Sequence, residues 1–542
     1  MKPHKTTKVI AVGTLILFSL TAVSFKTNLF EIAKQLEIFT SVYRAIHLNY
    51  VDETNPAALV ESAIKNMLVD LDPYTVYLNE QDAEGLKMAQ AGAYAGIGAE
   101  VRLVEDHLVI VEVYEGMPAD VAGLKAGDEI VSIGGLHVRD FQSDALELLK
   151  GNPGDVVSLS CRNKETLREV SVVISAQEPK AVPFFGMTTN QTGYLVLTRF
   201  SATAAQEVRE AVLALKESGA TQLILDLRDN PGGLLAEAIA IVNLFIPKDE
   251  LVVFTQSNIE EFNQTYKTRQ EPLDAQIPLA ILINGNSASA SEIVAGSLQD
   301  LDRAVVLGGK SFGKGLVQRQ LPLTYGTQLK VTISRYFTPS GRCIQALNYR
   351  VRDNSGQATK KSSFNSFRTR NGRVVADGGG ISPDVLIPIE SSGLLLSAII
   401  EKHLIFEFAN HYVQQHSFSS IADFVFTDSD YADFVAFANV KGFVFETPQE
   451  TELKRIFAEP SDFSGIPDAQ TAYRSLLLSF EKGRQMAYET FEPQLKRALA
   501  AEIVKRQFYK SGQFQYALMR DETILTARTL LNDSKRYSDL LN

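Results

Sequence analysis

Cysteine is nearly missing from this chain of 542 residues: only Cys161 and Cys343 occur. They stand too far apart in sequence to suggest a disulfide framework or a thiolate metal site, and both are read as structural thiols. Histidine is scarce in a more telling way. His4, His47, His107, His137, His403, His411 and His416 leave the whole stretch from 138 to 402 empty, so chemistry in the middle of the chain has no imidazole of its own. Basic stripes are lacking too. The formal charge of −11 is spread along the sequence, with no aromatic and arginine cluster of the kind that grips a phosphate backbone, and nucleic acid is not an expected partner. No His-Glu-x-x-His occurs and no ligand cluster offers a metal site. Gly309-Lys310-Ser311 imitates the end of a phosphate-binding loop, but the glycine required five positions earlier is Ala304, which rejects a nucleotide site. No cofactor is expected. No repeat period suggests a solenoid.

What is present is enough for several domains. At this length, with 45% apolar residues, one hydrophobic core is too few, and three or four units of ~100–200 residues are expected. Lys2, Lys5 and Lys8 precede an uncharged run from Val9 to Phe25, the charged and apolar regions of a secretory signal. The chain is therefore expected to be exported, to the periplasm. The run makes ~25 Å of helix where a span usually needs ~20 residues, so a signal over residues 1–26, with Ala22 and Ser24 offering a small-residue cleavage site just before Phe25, and an inner-membrane anchor retained through residues 9–25 both fit. No cysteine follows the run, which disfavours a lipoprotein.

Beyond the leader, residues 27–90 carry Ile32, Leu36, Phe39, Tyr43 and Ile46 at helical spacing, a helical arm or cap. Asp72-Pro73 through Leu78 breaks that pattern. Residues 91–178 alternate β-branched runs with Gly-rich turns, and the stretch from Met117 to Gly135 resembles the short helix, turn and strand of a PDZ domain. Residues 179–390 alternate strands with helical stretches, as in an α/β core with a largely parallel sheet. Within it, about 345–378 is polar and reads as an exposed insertion or flexible loop that interrupts the core without obviously joining it. Residues 391–542 form a mainly helical extension with no chemical motif.

The chemistry is concentrated in two segments, Asn286 to Ile293 and Lys310 to Gln318. A serine hydroxyl is a weak nucleophile until a neighbouring base takes its proton. With no histidine in the core, lysine is the favoured base, provided burial disfavours its charged form. Ser289 follows the strand Leu279 to Ile283 and opens a helical segment, so the amide of Ala290 could face an oxyanion together with an amide from a second turn, a contribution of ~3 kcal/mol per donor. That turn is Asp226 to Gly233, where Pro231-Gly232-Gly233 separates strand from helix. Taken alone, Gly232 and Gly233 could merely let the turn form, and Ser287 and Ser291 rival Ser289 as nucleophile or cap. Ser311-Phe312-Gly313-Lys314 also spells Ser-x-x-Lys, the signature of penicillin-recognising enzymes, but that motif wants a helix and glycines surround it here.

Over roughly residues 35 to 390 the chain resembles the carboxyl-terminal processing peptidases, or tail-specific proteases. The resemblance rests on Asp72-Pro73 with Tyr77-Leu78, Gly96-Ile97-Gly98-Ala99-Glu100, the PDZ stretch, Asp226 through Gly233, Ser287 through Glu292, Gly313-Lys314-Gly315 with Gln318, and Tyr336 through Arg342, in fixed order. It implies a multidomain α/β protein with a crotonase-like serine peptidase core, an inserted PDZ domain and helical ends. It also implies Ser289 as nucleophile, Lys314 as general base and Gln318 orienting the lysine. The oxyanion amides fall on Ala290 and on Gly232 or Gly233, and Gly96, Ile97 and Gly98 hold the free carboxylate of a protein or peptide substrate, which adds as a strand. Lys314 must be neutral to accept the proton, so activity is expected to fall as pH drops through a depressed lysine pKa. A helical arm of this kind points to a homodimer. The polar insertion and the extension after about 391 lie outside the resemblance. The rival reading is a catalytically inactive PDZ scaffold on the same fold, and the presence of Ser289, Lys314 and Gln318 together speaks against it.

Overall fold

The computed structural model describes residues 29–80, 82–83, 96–104, 107–163, 166–176, 178–353, 356–361, 363–388, 393–458 and 467–542. The leader expected over 1–26 lies outside them, and no helix among the described residues is long and apolar enough to cross a membrane. Two compact units divide near Tyr77. The first holds helices α1 (29–49) and α2 (Pro56–Val69). Asn55 starts α2, its Oδ1 accepting from the amides of Ala57 and Ala58, with Pro56 in the first turn where no N–H is needed. Asp72 closes the turn that follows by accepting from the amides of Tyr74 and Thr75 at 2.9 and 2.8 Å. Ile32, Leu36, Phe39 and Ile46, the stripe read from the sequence, lie exposed along α1.

The second unit opens with the PDZ-like module. Its antiparallel sheet runs β1 (Ala99–Val104), β2 (His107–Val113), β3 (Glu129–Ile133), β4 (Val156–Asn163), β5 (Thr166–Val173), with α3 (Pro118–Val121) between β2 and β3. Leu108, Ile110, Ile130, Leu159 and Val172 fill one face with Cys161, a free and buried thiol. These positions alternate along their strands, as a half-buried sheet requires.

The central sheet contains β6 (Phe184–Met187), β7 (Thr192–Val196), β8 (Gln222–Asp226), β11 (Leu279–Ile283), β12 (Val305–Gly308) and β19 (Val385–Leu386), in the order β19-β12-β11-β8-β7-β6. All neighbours are parallel except β6 and β7. Every residue of β7, β8, β11 and β12 is buried, so both faces are covered. On one face Leu195, Leu225, Ile281 and Val306 meet α4 (Ala204–Glu217), α5 (Leu235–Asn243) and α6 (Ala290–Asp300). A second, antiparallel sheet orders β13 (Leu316–Pro322), β14 (Gln328–Phe337), β9 (Leu251–Gln256) and β10 (Thr265–Lys267).

The polar stretch after 345 is largely exposed, as read, but it is folded and one part of it joins the core. It forms two hairpins, β15 (Leu347–Arg352) with β16 (Ala358–Lys360) and β17 (Ser366–Arg368) with β18 (Val374–Ala376), and the second is fastened to the core. Arg373 lies 2.7 Å from Asp302 and 2.6 Å from Asp384, both carboxylates almost fully buried. The amides of Gly378 and Gly380 donate to the carbonyls of Cys343 and Ile344. Polar composition reads as solvated, and much of the stretch is exposed, but Arg373 is matched to two buried carboxylates.

The extension is helical, as expected. Helices α7 (Gly393–Glu401), α8 (Leu404–Val413), α9 (Asp428–Val440), α10 (Pro448–Ile456), α11 (Pro467–Thr490) and α12 (Glu492–Ala517) include a core of their own around Phe408, Phe434 and Ile503. The chain then returns: α13 (Glu522–Asn532) places Ile524, Ala527, Leu530 and Leu531 on the other face of the central sheet, against Tyr194, Ile224, Ala280 and Leu282. The hydroxyl of Tyr537, in α14 (Ser534–Leu541), reaches the backbone of Leu279. Ile524→Ala should destabilise the chain by about 2–5 kcal/mol, the usual result of emptying a packed site, measured as a lowered denaturant midpoint.

Candidate active site

β11 ends in a tight turn and α6 begins at Ala290, leaving Ser289 at φ 56, ψ −112. An L residue holds such a conformation only when its surroundings insist. Here its N–H donates at 2.9 Å to Glu292 Oε2, one turn into the helix. The rival serines are engaged elsewhere. Ser287 is fully buried and donates to the carbonyl of Leu227 at 2.8 Å, while Ser291, also fully buried, donates to that of Asn230 at 2.9 Å. Of the three, Ser289 alone is partly exposed.

The Lys314 segment is not a helix. Gly313, at φ 90, passes so close to Ala346 that a Cβ would lie 2.5 Å from its methyl. Ser311, which would be the nucleophile of a Ser-x-x-Lys motif, is instead 6% exposed, with Oγ donating to Glu292 Oε1 and accepting from the amide of Ile381, each at 2.6 Å. Both loops therefore meet at one buried carboxylate. Oε1 of Glu292 accepts from Ser311 and from Gly313 N at 2.7 Å, and Oε2 accepts from the amides of Ser289 and Lys314, each at 2.9 Å. Tyr336 closes the same gap, its hydroxyl 2.6 Å from the carbonyl oxygen of Lys314 and 3.2 Å from that of Ser289. Burial pushes the Glu292 carboxyl up to about 7, against the pull of its donors.

The glycine turn leans on the serine. A Cβ on Gly232 (φ 102) would sit 2.9 Å from both Ala290 N and Ser289 Cβ, so only glycine fits. The Gly232 amide already donates to Asn230 Oδ1 at 2.9 Å. Those of Gly233 and Ala290 donate to nothing among the described hydrogen bonds. The turn is positioned from two sides: Phe200 N donates to Gly232 O and Leu234 N to Phe200 O, while Ala288 N donates to Asn230 O at 3.0 Å. Gln318 lies on β13 just past a bulge, its Nε2 donating to Thr332 Oγ1 at 3.3 Å across to β14.

In the PDZ-like module Gly96 and Ser175 exchange both backbone hydrogen bonds, at 3.0 and 3.1 Å, which occupies the Gly96 amide. Among the described hydrogen bonds Ile97 and Gly98 give only their carbonyls, to the amides of Ala119 and Tyr114. Gly98 (φ 77) could carry no Cβ beside Met117. β1, which follows, lies at an edge of its sheet among the described strands.

The profile of peptidase family S41 matches residues 191–354. The "Carboxy-terminal-processing protease" of Bartonella bacilliformis is 33% identical over 321 residues, 58% of this chain and 73% of that protein. The chain belongs to the S41 family. It is a serine-type peptidase with a PDZ domain, whose profile matches 109–163. An "Activating protease CtpB N-terminal domain" profile matches 20–82, and a "Probable PDZ-protease, C-terminal helical domain" profile matches 395–531. The "Carboxyl-terminal-processing protease" of Picosynechococcus is 36% identical, covering 53% of this chain and 70% of its own. The "Carboxy-terminal processing protease CtpA" of Bacillus subtilis is 32% identical, covering 56% and 65%. Among solved structures, a "Photosystem II D1 C-terminal processing protease" is similar at 25% identity over 65% of this chain and 92% of that one, with a TM-score of 0.38.

Glu292 and Tyr336 were present in the motifs read from the sequence but carried no role there. The spacing Ser289-x-x-Glu292 is the capping-box signal that could have found the glutamate. Its folded pKa of about 7 lies above the model-compound value of 4.5, so the folded peptidase holds this proton longer than the unfolded chain. The stability it contributes is complete below about 4.5 and is lost as pH rises through about 7, by up to ~3 kcal/mol. Denaturant titrations at pH 5 and pH 8 should show that loss in the parent chain and not in Glu292→Gln; equal slopes in the two would refute the assignment.

Proposed function

We propose that this peptidase is an endopeptidase that captures the free carboxy terminus of a polypeptide in its PDZ domain and hydrolyses it through an acyl-enzyme made on Ser289, with neutral Lys314 as the base. The observation that carries the reading is the shared Glu292 oxygen, which ties the amides of Ser289 and Lys314 to one point. Ser289 Oγ attacks the scissile carbonyl carbon while Lys314 Nζ takes its proton. The resulting oxyanion faces the amides of Ala290 and Gly233, the Gly232 amide being occupied by Asn230. Lys314 then returns the proton to the leaving amine, and the C–N bond breaks. Water attacks the ester with Lys314 again as base, releasing the acid and restoring Ser289. No histidine lies between 138 and 402 to do this work. Gln318 orients the lysine, a role carried over from the family resemblance.

At the PDZ domain the amides of Ile97 and Gly98 receive the carboxylate, and the peptide adds to the edge strand β1. Export by the segment before Thr27 and self-association through the exposed stripe of α1 belong to the same reading. The test is cleavage of an unstructured peptide with a free carboxy terminus. Ser289→Ala should lower turnover by more than ~10³-fold, and Lys314→Arg, permanently charged, should do the same. A covalent serine-directed inhibitor should leave its adduct on Ser289 when mapped by mass spectrometry. Cleavage undiminished in Ser289→Ala, or an adduct on Ser287 or Ser291, would overturn the proposal.

A further inference from the structure

α12 is interrupted. Phe508 (φ −123, ψ 21) and Tyr509 (φ 57, ψ −171) leave the helical region inside it, and a tyrosine stays at positive φ only where its neighbours hold it. The neighbours are in the PDZ domain. Tyr509 donates its hydroxyl proton to Asp120 Oδ1 at 2.6 Å. Lys125 approaches the same oxygen at 3.5 Å and lies 5.9 Å over the Tyr509 ring. Ser511 donates to Glu115 Oε2 at 2.9 Å. From α8, Asn410 presses against Gly127 so closely that a Cβ there would lie 2.5 Å from its amide nitrogen. Despite burial, the bonds from Tyr509 and from the amide of Gly116 hold the Asp120 carboxyl below its usual range.

What these helices grip is the segment behind the carboxylate loop. Asp120 sits on α3, whose Ala119 donates its N–H to Ile97 O at 2.7 Å, and Met117 and Pro118 pack against Gly98. The peptidase core faces the same module from another side, where Arg199 and Tyr114 line one cavity. A cavity of about 450 Å³ lies where the three regions meet, with Tyr114, Met117, Arg199 and Tyr509 in its wall.

We propose that Tyr509 is a positioning residue through which the C-terminal helices hold α3 of the PDZ domain, so that the Ile97 and Gly98 amides are preset for a peptide carboxylate. This rests on the reading of those amides as the carboxylate site. A preset loop loses less freedom on binding than a mobile one, so the strained backbone at Tyr509 is offset by contacts that shape a site on another domain.

The test uses the full chain with Ser289→Ala to prevent turnover, and two labelled peptides that differ only in a free or an amidated carboxy terminus. Tyr509→Phe keeps the ring and removes the hydroxyl. It should weaken the free-acid peptide by about threefold to tenfold, the scale of one hydrogen bond, and leave the amidated one unchanged. Asp120→Ala, which also loses the Gly116 bond, should be at least as damaging, and adding Tyr509→Phe to it should cost nothing more. Amide hydrogen exchange over residues 116–124 should quicken in Tyr509→Phe. Equal weakening of both peptides, additive effects in the double variant, or unchanged exchange would overturn the inference. If the parent chain binds both peptides equally, the carboxylate reading fails by itself, and the exchange experiment still decides whether Tyr509 holds α3.

Discussion

Glu292 is a fully buried carboxylate that accepts four hydrogen bonds, and it is the constraint that ties the Ser289 turn to the Lys314 loop. Two of its donors are the amides of Ser289 and Lys314, and the others come from Ser311 and Gly313 in the lysine loop. Desolvating a carboxylate is costly, and here it is offset by two neutral donors on each oxygen, without a cationic partner among the four bonds described. That choice has a chemical consequence. A cation facing Glu292 would have drawn it well below the neutral range, whereas the amide and hydroxyl donors leave it near 7. Tyr336 repeats the connection from the carbonyl side, so both loops are pinned to each other through their backbones.

Strain and support are paired throughout the site. Ser289 at positive φ is held by Glu292, and Gly232 lies where no Cβ could, under the support of Asn230 and Phe200. These are short contacts between loops that close the ends of β8, β11 and β12. They work only because those strands are rigid, and the strands are rigid because apolar side chains cover both of their faces. The second face is covered by the last helices of the chain. The C-terminal extension is therefore part of the core at one end and in contact with the PDZ domain at α12, and it reaches the turn after β8 through Arg228, which lies 2.8 Å from Asp521.

Much of this was legible without coordinates. The strand, turn and helix around Ser289, the glycine turn, the short helix and strand from Met117 to Gly135, and the helical character of both ends follow from spacing and turn chemistry. The polar segment after 345 is largely exposed, as read, but composition reports how many charges a segment has and not whether they are matched, and so could not show that Arg373 finds Asp302 and Asp384. Family resemblance singles out Ser289 among Ser287, Ser289 and Ser291, and only the packing shows the other two hydroxyls turned inward onto Leu227 and Asn230.

The sequence by itself determined the types of element, the lack of any imidazole in the middle of the chain, and the two candidate segments around Ser289 and Lys314, because periodicity, turn residues and composition act over a few neighbouring positions. Only the tertiary structure decided that Glu292 joins those segments, that the Gly96 and Gly232 amides are already occupied, and that the end of the chain returns to cover the sheet. Each of these is a pairing between residues distant along the chain, and which distant groups meet is settled when the whole core excludes water and every buried donor must find an acceptor.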